Sequence, residues 1–259
     1  MLKPDSQMMI AGAGWVPPAA LSLGPNEVHV WHAQLDRLAP ASARWEEILS
    51  PDEADRAQRF RFQGDRQYFT ASRAVLRLLL AAYLKTTPDA VAFDYATHGK
   101  PSLSANFANA NLEFNISHSG DSALLAFTRA RSIGVDIERM RFERDLEGVT
   151  RRFFSQVEQR ALFQLPEPVR QNAFFHCWTR KEAFVKAKGD GLSLPLAQFD
   201  VSLAPDEPAR LLATRPDAAE RERWQLHAIA VPEGYAAALV VEAPAASEFS
   251  IISPEIRTS

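Results

Sequence analysis

The sequence predicts an α+β fold made of two similar halves whose sheets are mainly antiparallel. Each half carries a strand, then a long helix, then several strands. The strands cluster after the helices instead of alternating with them, which argues against the βαβ rhythm of a parallel sheet. Turn-forming residues separate neighbouring strands in both halves, as hairpins require. We therefore expect one long helix and an antiparallel sheet in each half.

The first half begins with alternating apolar residues over 27–33, which predict a strand. Ser50, followed by Pro51 and Glu53, marks a helix start, because serine caps the helix, proline suits its first position and glutamate completes a capping box. Leucines at helical spacing predict a longer helix over about 67–85. Three short strands are expected over 91–95, 112–116 and 123–128, with residues 117–121 as the hairpin loop between the last two.

The second half opens with a predicted strand over 133–138. A capping box at Ser155 and Glu158 starts a helix, and a long helix follows over 168–188 with Gly189 placed to end it. Later strands are expected over 199–203, 224–231 and 236–242. The predicted division is a loose tail over 1–24, a first half over 25–131, a second half over 132–245 and another tail over 246–259.

The bulk composition narrows the classes of function. The chain has 259 residues, of which 46% are apolar and 24% charged, as in an ordinary globular protein. A net charge of −3 gives no bulk attraction to nucleic acid, and no apolar run approaches the roughly 20 residues that span a bilayer. Cys177 is the only cysteine, so a disulfide framework is excluded and a reducing cytoplasm is the expected location.

Asp136 and Glu138 lie two residues apart in a predicted strand, so both side chains leave the same face, roughly 6.5 Å apart. Val135 and Ile137 then face the core. Two neighbouring carboxylates repel each other unless a cation or a proton intervenes, and Mg²⁺ binds a few carboxylates together with substrate phosphates. The pair is a candidate metal site, although taken alone it is more often a solvated strand face.

Glu182 and Lys186 lie one turn apart on the second long helix and share a face. Taken alone, they are better explained as a surface ion pair, worth about 0.3–0.5 kcal/mol. Lys181 and Lys188 add positive charge to the same segment. A cation-binding carboxylate beside several lysines suits a polyanion such as pyrophosphate.

The sequence contains neither a Walker A nor a G-x-G-x-x-G motif. Other basic segments extend the pattern of positive charge. Residues 97–101 form a basic tip, and Ser117 and His118 are expected at an exposed turn. No G-x-S-x-G elbow surrounds them, so a hydrolase triad is not indicated; His118 either contacts phosphate or caps its turn. The basic cluster of the first half consists of Arg56, Arg59, Arg61, Arg66 and Arg73. These arginines suit phosphate, with a solvated helix face as an equal alternative.

Four segments, in this order, resemble the Sfp-type 4′-phosphopantetheinyl transferases. They are Gly99-Lys-Pro101, Phe114-Asn-Ile-Ser-His-Ser119, Gly134-Val-Asp-Ile-Glu138, and Trp178-x-x-Lys-Glu-Ala-Phe-x-Lys186 with Gly189-x-Gly-Leu192. The match spans roughly residues 50 to 200. One such segment is a weak sign, whereas four in order are highly specific.

The resemblance implies a fold, a reaction and partners. Family members have two α+β halves related by a pseudo-twofold axis, with the active site in the cleft between them. They transfer the 4′-phosphopantetheine arm of coenzyme A to a serine of an acyl or peptidyl carrier protein, use Mg²⁺, and release adenosine 3′,5′-bisphosphate. The cysteine count, the net charge and the apolar runs predict a cytoplasmic enzyme that binds neither nucleic acid nor membrane. A chain with two pseudo-twofold halves is expected to work as a monomer.

Carried over residue by residue, the resemblance implies that Asp136, Glu138 and Glu182 bind Mg²⁺. Glu182 is also the implied base for the carrier serine, and Lys186 the implied group that stabilises the leaving phosphate. Arg56 is the implied contact to the 3′-phosphate of coenzyme A, with Arg59 or Arg73 as alternatives. The other implied contacts to coenzyme A are Lys100, Ser117, His118 and Lys181.

Two other functions would use the same residues. A Mg²⁺-dependent phosphohydrolase of coenzyme A-like diphosphates would turn over without a carrier protein. A non-catalytic module that binds coenzyme A or a carrier protein would not need the full set of carboxylates and Lys186. The segment 151–165 is either a surface on which the carrier protein docks or an amphipathic part of the core.

Overall fold

The computed structural model describes residues 8–10, 20–95, 100–141, 145–189, 194–243, 247 and 250–252. Its strands are β1 (Met8–Ile10), β2 (Glu27–Gln34), β3 (Phe93–Tyr95), β4 (Pro101–Leu103), β5 (Leu112–Ser119), β6 (Ser122–Arg129), β7 (Ile133–Arg139), β8 (Phe199–Val201), β9 (Leu211–Thr214), β10 (Trp224–Ala228), β11 (Tyr235–Glu242) and β12 (Ser250–Ile252). Its α-helices are α1 (Leu35–Leu38), α2 (Ser42–Glu46), α3 (Pro51–Gln58), α4 (Gln63–Leu84), α5 (Leu146–Phe153), α6 (Gln156–Gln164) and α7 (Glu167–Lys188). Within these ranges, no helix combines the length and apolarity needed to cross a membrane.

Two sheets organise the fold. The first has the order β1-β2-β6-β5, with β12 also paired to β2, and the second has the order β10-β11-β7. Pairing is antiparallel except where β1 and β12 run along the outer edge of β2. The order β2-β6-β5 therefore matches β7-β11-β10, and each half adds a helix of 22 residues and a two-stranded ladder. The predicted α+β fold with two similar halves is confirmed.

The layers follow from the alternation of side chains along the strands. On β6, Leu125 packs with α4 in a first core, while its neighbour Leu124 faces the second sheet. On β11, Val240 packs with α7 in another core, while Leu239 faces the first sheet. The order of layers is therefore helix, sheet, sheet, helix, with apolar side chains in each of the three spaces.

The two sheets meet where β5 lies beside β7, and side chains there take the place of a backbone ladder. The bonds run from Val135 N–H to Asn115 Oδ1 at 2.9 Å, from Ile137 N–H to Ser117 Oγ at 3.4 Å and from Arg139 N–H to Ser119 Oγ at 3.1 Å. The three acceptors are alternate residues and share one face of β5. They satisfy the edge of β7 and hold β5 against the strand that carries Asp136.

One expectation about local structure is wrong, and two short strands lie in segments predicted as tails. The loop expected over 117–121 is shorter, because β5 stays paired with β6 as far as Ser119 and only Gly120 and Asp121 turn. Ser117 is therefore a buried strand residue and not part of an exposed turn. In addition, β1 and β12 lie within the segments expected to be loose tails, yet both pair with β2.

Candidate active site

The site depends on a close contact between β7 and α7 at Gly134. A Cβ atom at this position would lie 2.1 Å from the carbonyl oxygen of Ala183 and 2.4 Å from the nitrogen of Ala187. No side chain fits at such distances, so glycine is what lets the helix backbone lie directly on the strand. The face of α7 that carries Glu182 and Lys186 is thereby brought beside the polar face of β7.

Asp136 projects from that polar face and is almost fully buried. Its Oδ1 accepts hydrogen bonds from Lys186 Nζ at 2.7 Å and from Ser117 Oγ at 2.8 Å. Its Oδ2 is buried and has no hydrogen-bond partner among the described residues. A buried carboxylate oxygen without a partner is costly, so Oδ2 is a ready ligand for a cation.

Glu138 and Glu182 complete a group of three neighbouring acids. Ser119 Oγ donates to Glu138 Oε2 at 2.8 Å. Burial raises the pKa of Glu182, and the negative charges of Asp136 and Glu138 raise it further, against the opposing effect of Lys186. Neighbouring carboxylates repel each other in their ionised forms, so the group favours either a proton or a bound cation.

The oxygen atoms of this group suit a hard divalent cation, but the three carboxylates do not surround a common point in the structure. Across the described ranges, no three His, Cys, Asp or Glu side chains are arranged around a common metal position. The cation on Asp136 is instead the ammonium of Lys186. Three carboxylates and one unpartnered oxygen are nevertheless the oxygen donors that Mg²⁺ prefers.

A cleft of about 480 Å³ opens beside the carboxylates. The first half lines it with Arg56, Lys100 and His118, and the second half lines it with Glu182 and Lys186. These five residues come from segments that are far apart in the sequence. The fold therefore brings together five of the predicted site residues.

Positive charge dominates the wall that faces Glu182. Lys100 Nζ donates to the carbonyl oxygen of Lys186 at 2.6 Å, and burial lowers its pKa. The pKa of His118 is lowered first by desolvation and then by the charges of Lys186 and Arg56. The lowered pKa favours the neutral imidazole of His118 among these cations, and the wall as a whole suits an anionic ligand.

A second lobe of about 580 Å³ adjoins the cleft and shares Arg56 and Arg73 with it. Phe60, Phe69 and Tyr95 add aromatic rings to its walls. The guanidinium of Arg56 lies over the ring of Phe69, 5.5 Å from its centroid. Arginine beside aromatic rings suits a flat ring that carries a phosphate.

Arg73 belongs to a buried ion cluster that the sequence did not predict. Its Nε donates to Glu53 Oε1 at 2.9 Å, and its guanidinium donates to Tyr95 Oη at 2.8 Å. Arg77 pairs with the same glutamate, which is 1% exposed. All three candidates for a 3′-phosphate contact line the second lobe, but Arg73 is already paired with Glu53 and Tyr95. The available signal was Arg73 and Arg77, one turn apart on an otherwise apolar helix face.

The expectation that Lys181 contacts coenzyme A is wrong. Lys181 is fully buried, and its ammonium donates to the carbonyl oxygens of Leu196 and Phe199 at 2.7 Å each. It also pairs with Glu158 at 2.8 Å. One helical step rotates a side chain by about 100°, which turns Lys181 away from the face of Glu182. Lys181 fastens α7 to α6 and β8.

Ser117, which is also expected to contact coenzyme A, is bonded to protein groups in the structure. Its hydroxyl binds Asp136 and Lys186, and Ser117 is not among the residues that line the cleft. His118 follows on the opposite face of β5 and does line the cleft. In the segment 151–165, Phe154 and Leu162 are buried in the core, as the amphipathic interpretation requires. Residues 97–99 and 190–192, which belong to predicted motifs, lie outside the described residues.

Comparison with known proteins identifies a family for the chain. A model of the 4′-phosphopantetheinyl transferase superfamily matches residues 132–240, and a model of the N-terminal part of a 4′-phosphopantetheinyl transferase matches residues 36–130. The chain is 43% identical over 198 residues to the 4′-phosphopantetheinyl transferase HetI of Nostoc sp., a match that covers 76% of this chain and 83% of that protein. It is 32% identical over 163 residues to the transferase Sfp of Bacillus subtilis, which covers 63% and 70%. A holo-[acyl-carrier-protein] synthase of Thermotoga maritima matches 44% of this chain and 63% of that chain, with 23% identity and a TM-score of 0.35, too low to add to the argument.

Proposed function

Because the chain belongs to the 4′-phosphopantetheinyl transferase superfamily, we propose that it transfers the phosphopantetheine group of coenzyme A to a serine of an apo acyl or peptidyl carrier protein. The supporting observation is the cleft, where Arg56 and Lys100 of the first half face Glu182 and Lys186 of the second. Coenzyme A carries a diphosphate and a 3′-phosphate, which match this positive wall. Both sides of the cleft come from one chain, so the proposal needs no second copy.

In this proposal, coenzyme A occupies both lobes. The diphosphate contacts Lys100, His118 and Lys186, while the adenosine 3′-phosphate contacts Arg56 in the second lobe. The adenine lies against the aromatic rings there, since rings stack on flat heterocycles and arginine forms paired bonds with phosphate. Support comes from the residues that line each lobe.

The reaction is a displacement at phosphorus. The carrier serine oxygen forms a bond to the β-phosphorus of coenzyme A, and the bond from that phosphorus to the bridging oxygen breaks. Adenosine 3′,5′-bisphosphate leaves with the bridging oxygen, and the serine proton passes to Glu182, directly or through water. Without a bound cation, burial and the neighbouring carboxylates raise the pKa of Glu182, which makes it a stronger base, whereas a cation bound to it would lower that pKa. The ammonium of Lys186 stabilises the charge that develops on the leaving phosphate.

We further propose that Asp136, Glu138 and Glu182 bind Mg²⁺ together with the diphosphate. A divalent cation in this position neutralises charge on the phosphates and orients them for in-line attack. The support is the unpartnered Oδ2 of Asp136 and the pKa of Glu182, which burial and the charges of Asp136 and Glu138 raise. In this proposal Asp136 is a buried ligand whose other oxygen accepts hydrogen bonds from Ser117 and Lys186.

The test is intact mass spectrometry of an apo carrier protein incubated with this protein, coenzyme A and Mg²⁺. We expect the carrier to gain one phosphopantetheinyl group, and the gain to disappear with EDTA or with Glu182→Gln. Glu167→Gln is the matched control, because Glu167 is exposed at the first position of the same helix. It should leave the transfer unchanged.

Other outcomes would point to the alternative functions. Hydrolysis of coenzyme A at the same rate with and without a carrier protein would identify a phosphohydrolase. Binding of coenzyme A without turnover, across several unrelated carriers, would identify a binding module. Full transfer in the presence of EDTA would remove the proposal for Mg²⁺ while leaving the transfer itself in place.

A further inference from the structure

The hydroxyl of Ser117 contacts three groups at the junction of the two halves. It donates to Asp136 Oδ1 at 2.8 Å and accepts from Lys186 Nζ at 2.8 Å. It also lies 3.4 Å from the backbone nitrogen of Ile137, which donates to it. Ser117 is 7% exposed, so water does not compete freely for these bonds. One hydroxyl thus joins a carboxylate of β7 to an ammonium of α7.

The neighbouring acceptors on β5 provide a comparison. Asn115 bonds to the backbone of β7 through Val135, and Ser119 bonds to the backbone and to Glu138. Ser117 adds a contact to Lys186 that neither neighbour shows in the described part of the chain. A residue that only sealed the edge of β7 would not need this contact.

We propose that Ser117 is a positioning residue, which fixes Asp136 and Lys186 relative to each other for the transfer. This inference rests on the proposed function. Ser117 and Lys186 both bind Oδ1 of Asp136, and this leaves Oδ2 as the oxygen without a partner. The serine therefore determines which carboxylate oxygen is available to a cation.

Lys186 gains a fixed position from the same hydroxyl. Its ammonium has three N–H groups, and three acceptors surround it: Asp136 Oδ1, Ser117 Oγ and the carbonyl oxygen of Val135 at 3.3 Å. A lysine side chain has a long flexible stem and loses considerable rotamer entropy when it is held in one place. Without the serine hydroxyl, one N–H group loses its acceptor and the ammonium is held less well at the edge of the cleft.

The geometry also argues against a role for Ser117 as a nucleophile. Its proton is committed to Asp136, and its side chain faces the second sheet and not the cleft. Its effect on the reaction therefore passes through Asp136 and Lys186. Removal of a partner that orients a metal ligand typically costs about 10–100-fold in metal affinity or activity.

The experiment compares Ser117→Ala and Ser117→Thr with Ser202→Ala. Ser202 is the matched control, because it is 1% exposed and its hydroxyl also joins several groups, donating to Pro208 O and accepting from Arg180 and the N–H of Arg210. It does not line the cleft. The readouts are kcat, KM for coenzyme A, the Mg²⁺ concentration for half-maximal rate, and Tm.

We expect Ser117→Ala to lower kcat by about 10–100-fold and to raise the half-saturating Mg²⁺ concentration, with a much smaller change in KM for coenzyme A. Threonine keeps the hydroxyl and should restore most of the lost kcat. Ser202→Ala should lower Tm without changing kcat. Adding Ser117→Ala to Lys186→Met should cost a smaller factor in kcat than Ser117→Ala costs in the unmodified enzyme, because Ser117 acts partly through Lys186.

Three outcomes would overturn the inference. They are equal kinetics for Ser117→Ala and Ser202→Ala, a threonine variant no better than alanine, and an alanine variant that does not fold. If the unmodified protein shows no transfer, the proposed function fails instead. Activity of the unmodified enzyme therefore separates failure of the function from failure of the positioning role.

Discussion

Lys181 and Lys186 show that the direction in which a side chain leaves a helix decides whether it is buried or reaches the cleft. Five helical steps rotate a side chain by roughly 140°, so Lys181 is fully buried while Lys186 reaches the cleft with 28% of its side chain exposed. The sequence carried a signal for this difference. Cys177 and Phe184 lie four residues before and three residues after Lys181, and both are buried. Lys181 therefore lies on the apolar face of α7.

Replacing Lys181 with methionine should destabilise the fold by about 3–5 kcal/mol, because Glu158 would keep a buried charge without its cation. Urea unfolding measures this loss. The double variant Lys181→Met/Glu158→Gln should recover part of it, since the isolated charge is then removed. Lys186→Met is the comparison on the same helix and should lower activity with a smaller loss of stability. A Lys181→Met protein of normal stability but higher KM for coenzyme A would contradict the burial of this lysine.

At the scale of elements, the contact between β7 and α7 decides whether the catalytic groups meet. Gly134→Ala would place a methyl group against the backbone of the helix at Ala183 and Ala187. Because backbone atoms cannot rotate away, the helix must shift. We expect a loss of about 1–3 kcal/mol in stability and a large fall in kcat, since Glu182 and Lys186 move with the helix.

The control for this variant is Gly64→Ala, near the start of α4. Gly64 is exposed, and an added Cβ meets nothing within 4 Å. Alanine there should be neutral or should raise stability by about 0.4–1 kcal/mol, because the unfolded chain loses conformational freedom. Thermal unfolding and the transfer assay measure both variants. Unchanged activity in Gly134→Ala would show that α7 does not need this close contact to position its catalytic groups.

Most elements could be predicted from the sequence, and the exceptions have physical causes. Apolar residues at helical spacing predicted the first long helix, and a helix end before Gly189 predicted the second, both within a few residues of their bounds. The predicted end of β5 was wrong. Ser117, His118 and Ser119 favour turns when judged by local preference. In the fold, two of these residues satisfy the edge of β7, and this tertiary contact outweighs the local preference.

At the scale of the whole molecule, the layer order explains where the cleft opens. The two sheets face each other through apolar side chains, and the polar side chains of β5 and β7 meet at the border of this space. Motif order in the sequence identified the residues of the cleft but not the direction of each side chain. Ser117 and Lys181 were therefore assigned to coenzyme A, although their partners are protein atoms. The direction of a side chain depends on packing between elements, and the sequence of a single segment does not contain that information.

Burial of histidine makes the stability of the whole fold depend on pH. The five histidines that the structure describes all have a lowered pKa, with burial as the first cause, and they are His29, His32, His118, His176 and His227. Their ordinary pKa is 6.5. The unfolded chain therefore binds more protons than the folded chain once the pH falls below about 6.5. The folded chain keeps its full stability above that pH. The free energy of unfolding then decreases as the pH falls towards the lowered pKa values of these histidines.

We expect the free energy of unfolding to fall between pH 7.5 and pH 5.5, and urea unfolding at several pH values in this range measures it. Glu113 and Glu182 act in the opposite direction, because their raised pKa makes the folded chain bind protons first, but their shifts begin from 4.5 and affect the lower end of the range. His32→Gln is the test variant, since His32 is 2% exposed and a glutamine can still bond to Ser122. Its stability should depend less steeply on pH, because one fewer proton is taken up on unfolding. A stability that is constant or rises on acidification, or an unchanged slope in His32→Gln, would show that these histidines titrate normally in the folded protein.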